Sequence, residues 1–217
     1  MLVPRLYEIF EVQKVKKERG FLNGCHGGDG IWDTLGYYDP SAYEITICDS
    51  RIEKFVRDSI IIQTIEFDEI YTKVVLRELV RLHEHTHALL HTSSFPGSKR
   101  YKMGHWKTGY RNLHPDVNEP LTEFIAWSVV QRFGTKFFER VFEVVDEKSP
   151  FYYREWKKIK DILDKVRQNH SYVFFIPGLV YIARDRALAD FQNFLQELKN
   201  NLQTICDLST LFNLIKP

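Results

Sequence analysis

Residues 81–91, RLHEHTHALLH, place four histidines and a glutamate in eleven consecutive positions. From Glu69 to His91 the chain has no glycine or proline and is rich in helix formers, so the spacing predicts one long helix. On such a helix His83 and His87, four residues apart, share one face a turn apart, with Glu84 beside them. The positions one and two turns earlier on that face, Leu79, Leu76 and Val75, are apolar. The pattern His-Glu-x-x-His suits two imidazoles sharing one zinc ion, with the glutamate as general base toward a metal-bound water.

A catalytic zinc takes three protein ligands and keeps one position open. The segment Asn118-Glu119-Pro120-Leu121-Thr122-Glu123 is the best source of the third. A helix is expected from about Asn118 to Phe133, with Asn118 as N-cap and Pro120 in the first turn, where proline is tolerated. Glu119 and Glu123 share a face there. One carboxylate can bind the metal while the other accepts a hydrogen bond from the far nitrogen of a ligating histidine. His105 and His114, in the long loop between the two helices, are rival third ligands. His91 extends the same face, but each step of four residues adds about 6 Å of rise, too far for three ligands on one straight helix. His85 points off that face and is expected to be exposed.

HEHTH followed by NEPLTE resembles the gluzincin metallopeptidases, the thermolysin-like branch of the zincins. NEPLTE is similar to that branch's Asn-Glu-x-x-Ser-Asp pattern, with conservative changes at its last two places. The resemblance covers about forty residues, 83 to 123. It implies His83, His87 and Glu119 as zinc ligands, Glu84 as general base, and Glu123 as the residue that orients a ligating histidine. HEHTHALLH followed by Gly104-His105 also resembles the SprT-like proteases, which implies His105 as the alternative third ligand. In zincins an edge strand beside the active-site helix binds substrate, which makes YEITI (43–47) the candidate strand here.

The function expected is thus zinc-dependent hydrolysis of a peptide or protein substrate. A reading from another class is a catalytically silent zincin-like module whose zinc is structural and which binds a protein or nucleic-acid partner. Glu84 argues against that module, because a structural site has no need of a general base. A closed set of four ligands, such as His83, His87, His105 and Glu119, would favour it. Oxyanion donors of the right type are Tyr101, His105, Tyr110 and His114 in the long loop, and His170 and Tyr172 later; the sequence does not choose among them. The same loop carries five basic and three aromatic residues from Lys99 to Arg111, a combination that can meet phosphates and stack on bases. A solvated loop anchored by its aromatics is the plainer reading.

The whole chain frames these expectations. Its 217 residues suffice for one domain, 1–217, with lobes 1–115 and 116–217 as a subdivision. Apolar and charged contents of 44% and 27% are those of a globular protein, and a net charge of +1 gives no global pull toward nucleic acid or membrane. The first twenty residues lack a signal peptide's apolar core, and no apolar run reaches transmembrane length, which points to the cytoplasm. Cys25, Cys48 and Cys206 are odd in number, widely spaced and in no CxxC pair, so neither a disulfide framework nor a cysteine zinc site is expected. Residues 2–18 are weakly periodic and read as helix, 21–41 as loop, and YEITI as a strand. Further helices are expected at 135–147, 152–168 and 185–214, broken by SYVFFIPGLVYIA. The fold class expected is α+β and helix-rich, a zincin-like core with a small sheet, an active-site helix and a mostly helical C-terminal half.

Overall fold

In chain order the elements are α1 (Val3–Ile9), β1 (Lys17–Gly20), β2 (Gly36–Asp39), β3 (Glu44–Ile47), α2 (Asp49–Asp58), α3 (Glu69–Thr92), α4 (Pro115–Phe133) and α5 (Lys136–Lys148). A 3-10 turn at Tyr153–Glu155 leads into α6 (Trp156–Leu163), and a second at Tyr172–Phe175 into α7 (Ile176–Asp185). Two last helices follow, α8 (Phe191–Asn200) and α9 (Leu202–Ile215). This computed structural model describes residues 1–9, 15, 17–20, 25, 35–58, 68–92, 115–149, 153–167, 169–185 and 190–215. The architecture is helix-rich α+β, with one small three-stranded sheet.

The long helix α3 is the axis. It packs against α1, α2, β2, β3, α4 and α5. Both faces of its C-terminal half are therefore covered, and every residue from Leu82 to His91 is buried. Leu76, Leu79, Val80, Leu82, Leu89 and Leu90 fill the space between α3 and its neighbours. The helix α4 is covered nearly all round. Val117, Leu121 and Phe124 are fully buried, and Trp127 stacks near Trp156 of α6 and Tyr172.

The sheet order is β1-β3-β2, with β1 parallel and β2 antiparallel to the central β3. YEITI is a strand as expected, but it is not an edge. Both sides of β3 are paired, so its backbone groups are already spent and cannot accept a substrate strand. The strand beside α3 with an outer edge unpaired among the described residues is β2.

Several boundaries differ from expectation for identifiable reasons. The helix expected over 2–18 stops at Ile9, and Lys17–Gly20 pairs with β3 instead, Arg19 bonding Glu44 at 3.1 Å. The turn-rich 21–41 segment contains β2, a strand that exists through its pairing with β3 rather than through its own composition. SYVFFIPGLVYIA does not break the helical half, because it forms a 3-10 turn and α7, with Pro177 in the first turn. Where one helix was expected over 185–214, α8 and α9 meet at Asn201, the first capped by Asp190, whose Oδ1 accepts from the Asn193 amide at 2.8 Å. Two further helices, α4 and α2, start earlier or stand where nothing was expected: α4 begins at Pro115, so Pro120 lies in its second turn and has no N–H for the Asp116 carbonyl.

The cysteine expectation is corrected. Cys25 and Cys48 form a disulfide, with Cα atoms 6.0 Å apart, and Cys206 is free. Cys48 follows the central strand directly, and tertiary folding brings Cys25 to it across 23 positions. No spacing pattern encodes that approach. Among the described residues no helix is long and apolar enough to cross a membrane.

Candidate metal centre

Burial sets the terms for the histidine run. His83, Glu84, His85, His87 and His91 are all at most 6% exposed. Buried polar groups on a core helix must find partners, or each costs about 1–3 kcal/mol. The partners found divide the run into two sets.

The first set converges on a point. His83 Nε2 and His87 Nε2 lie 3.0 Å apart, with their rings edge to face. Glu119 Oε2, from the second turn of α4, stands 3.5 Å from His83 Nε2 and 3.4 Å from His87 Nε2. For metal–ligand bonds of 2.0–2.1 Å, the edges of a tetrahedron are about 3.3–3.4 Å. The three atoms thus outline one face of such a tetrahedron. Glu119 Oε2 is buried and accepts a well-formed hydrogen bond from neither ring. Three potential ligand atoms converge on one point, an arrangement that a cation there would satisfy. His83, His87 and Glu119 are accordingly a cluster that could hold a metal ion.

The electrostatics agree. Burial pushes the Glu119 carboxyl up, but His87 and His83 outweigh it and hold the group below the ordinary carboxylate range, so it is ionised at neutral pH. Its side chain is 16% exposed against 1% and 8% for the two histidines, so Glu119 is the least buried member of the cluster.

The far nitrogens of both rings also face groups on α4. His83 Nδ1 faces Glu123 Oε1 at 3.7 Å, and Glu123 is buried. His87 Nδ1 lies 3.2 Å from Thr122 Oγ1, and Thr122 is fully buried. Glu119, Thr122 and Glu123 fall at positions i, i+3 and i+4 of α4, so one face of that helix supplies all three groups. Glu123, expected to accept a hydrogen bond from a ligating histidine, lies near His83 but beyond hydrogen-bond distance. Thr122 was missed, because a hydroxyl on a helix has no signature separating a ring partner from a side chain bonded to its own backbone.

Glu84 is buried at 2% and turned toward the sheet. A Cβ built on Gly36 of β2 would lie 3.2 Å from Glu84 Cγ, so the acid passes directly over that glycine. It lies next to the cluster in sequence and outside the ligand set.

The second set of polar groups faces elsewhere. His85 is not exposed as expected. Its Nδ1 meets the Tyr7 hydroxyl and its Nε2 lies 3.0 Å from Glu18 Oε2, because α1 and β1 cover that side of α3. Arg81 bonds Glu18 at 2.7 Å and Glu78 at 2.7 Å, and Glu78 accepts the Leu2 amide of α1 at 2.6 Å. The His85 hydrogen bond first, and then Arg81, bring Glu18 down to about 2 against the effect of burial. His91 is likewise buried, with Nδ1 2.7 Å from the Tyr38 hydroxyl and its ring stacked on Tyr43.

His105, His114, Tyr101, Tyr110 and the basic loop lie outside the described residues. His170 is exposed, and Tyr172 gives its hydroxyl to Asp164 while Arg167 covers its ring. No family model matches this chain, and it has no match among curated proteins or solved structures.

Proposed function

We propose that this chain is a zinc-dependent metallopeptidase, with His83, His87 and Glu119 as metal ligands and Glu84 as general base. The observation that carries the reading is the triangle of two imidazole nitrogens and one carboxylate oxygen, 3.0–3.5 Å on its edges. Two imidazoles and a carboxylate are the donor set of catalytic zinc sites. A zinc ion there would act as a Lewis acid toward the scissile carbonyl and bring the pKa of a water beside it toward neutrality.

The chain's own residues supply the rest. Glu84 takes the proton of the attacking water and delivers it to the leaving amine nitrogen. Glu123 and Thr122 hold the two imidazoles so that each presents Nε2 to the centre. A peptide in extended form pairs with the outer edge of β2, taking the role first expected of YEITI, and so runs past Glu84.

Elemental analysis of the purified wild type, Glu119→Ala and His105→Ala tests the assignment. About one zinc per chain in the wild type and in His105→Ala, and none in Glu119→Ala, is expected. The reverse pattern would move the third ligand to His105, and a metal-free wild type after zinc supplementation would sink the reading. Glu84→Gln should keep its zinc and lose peptidase activity. Unchanged activity in that variant would remove Glu84 from the chemistry.

A further inference from the structure

Away from the metal centre, the turn after α6, the 3-10 turn at Tyr172–Phe175 and the start of α9 enclose a cavity of about 570 Å³. That volume lies within the range of small-molecule sites. Its lining is mixed. Val166, Leu202 and Cys206 line it together with Gln203 and Thr210, and the rings of His170 and Phe174 lie nearly parallel, 15° apart with centroids at 4.3 Å. At the rim stands Lys165, whose ammonium forms no ion pair among the described residues.

The acids nearby are already engaged. Asp164 is held by Lys160 and the Tyr172 hydroxyl, with Arg167 at 3.4 Å, and Asp207 accepts from Gln203 at 2.9 Å. Lys165 is thus the cation with charge to spare. Burial and the neighbouring Asp207 push the Cys206 thiol up, so it reacts slowly and is not a catalytic nucleophile.

We propose that this cavity binds a flat aromatic monoanion, its ring laid over the His170–Phe174 pair and its carboxylate or equivalent acid on the Lys165 ammonium. A ring face against stacked aromatics gains offset-stacking contacts together with the burial of its apolar area. A carboxylate on a lysine forms a charge-assisted hydrogen bond, which an alcohol of the same shape cannot match. The site is independent of the peptidase reading.

Cys206 gives the cavity its own reporter, because Cys25 and Cys48 are paired and do not alkylate. The rate of Cys206 alkylation by iodoacetamide would be followed in the intact chain against naphthalene-2-carboxylate and, separately, 2-naphthylmethanol. Saturable protection by the carboxylate is expected at about tenfold lower concentration than by the alcohol. Lys165→Met, at an exposed position, should erase that difference while leaving the melting temperature unchanged. Absence of saturable protection, equal potency of acid and alcohol on the wild type, or persistence of the difference in Lys165→Met would each overturn the proposal.

Discussion

A histidine serves a metal through one nitrogen only if the other holds the ring in the right tautomer and orientation. In this chain two histidines of the run bring their Nε2 atoms together, and the other two face elsewhere. His83 and His87 turn Nδ1 to Glu123 and Thr122 and bring their Nε2 atoms to 3.0 Å. His85 and His91 engage their Nδ1 atoms with the tyrosines Tyr7 and Tyr38. Helical spacing pairs His83 with His87 on one face, and that pairing was readable in the sequence. The burial of the others was not, since their partners lie 78 and 53 positions away. Thr122 sat inside NEPLTE without a role, because a buried helical hydroxyl can as well bond its own backbone, as Ser128 does to the Phe124 carbonyl. Its role can be measured. Thr122→Val keeps the shape and removes the acceptor, and should weaken zinc binding about tenfold in competition with a chelator, with Thr122→Ser restoring it. Equal affinities in all three proteins would show that the 3.2 Å contact does not position His87.

Among elements, the fit of β2 against α3 depends on a missing side chain. A Cβ on Gly36 would fall 2.7 Å from Val80 Cγ1, 3.1 Å from the Thr46 carbonyl oxygen and 3.2 Å from Glu84 Cγ. Gly36→Ala therefore has to push the strand off the helix or displace Glu84. It should cost about 1–3 kcal/mol in denaturant unfolding and lower turnover while zinc content stays whole. Retained turnover would mean that Glu84 does not depend on this contact. On the opposite side of α3, the Tyr7–His85–Glu18–Arg81–Glu78 network ties down α1 and β1. Glu18 titrates near 2 in the folded chain against an ordinary 4.5. A depressed carboxylate stabilises the fold fully above its unfolded value and loses that contribution as pH falls through the folded one. The urea midpoint of the wild type should thus fall between about pH 4.5 and pH 2 more steeply than that of Glu18→Gln. Parallel curves would show that the network contributes nothing. The 69–92 helix was plain from its uninterrupted helix formers, whereas Gly36–Asp39 becomes a strand only by pairing with β3 and covering α3.

For the molecule as a whole, the disulfide carries the largest single departure from the sequence expectation and the simplest test of it. Three widely spaced cysteines read as three thiols, and the closeness of Cys25 to Cys48 arises only in the folded chain, where Cys25 comes to the start of α2. Arg51 of α2 bonds the Cys25 carbonyl, so the crosslink and a backbone contact fasten the same two places. Disulfides persist in oxidising compartments and are uncommon in the reducing cytosol, so the bond weighs against the cytoplasmic setting expected from the first twenty residues and the short apolar runs. Closing a loop of 23 residues removes denatured-state entropy worth about 3 kcal/mol on the chain-entropy account. Titration of the denatured chain with a thiol reagent should find one reactive cysteine without reductant, Cys206, and three after reduction. Reduction of the native protein should lower the denaturant midpoint by an amount matching about 3 kcal/mol, and Cys25→Ser with Cys48→Ser should give the same midpoint with or without reductant. Three thiols in the untreated protein would remove the crosslink and leave the contact between Arg51 and the Cys25 carbonyl to hold the segment alone.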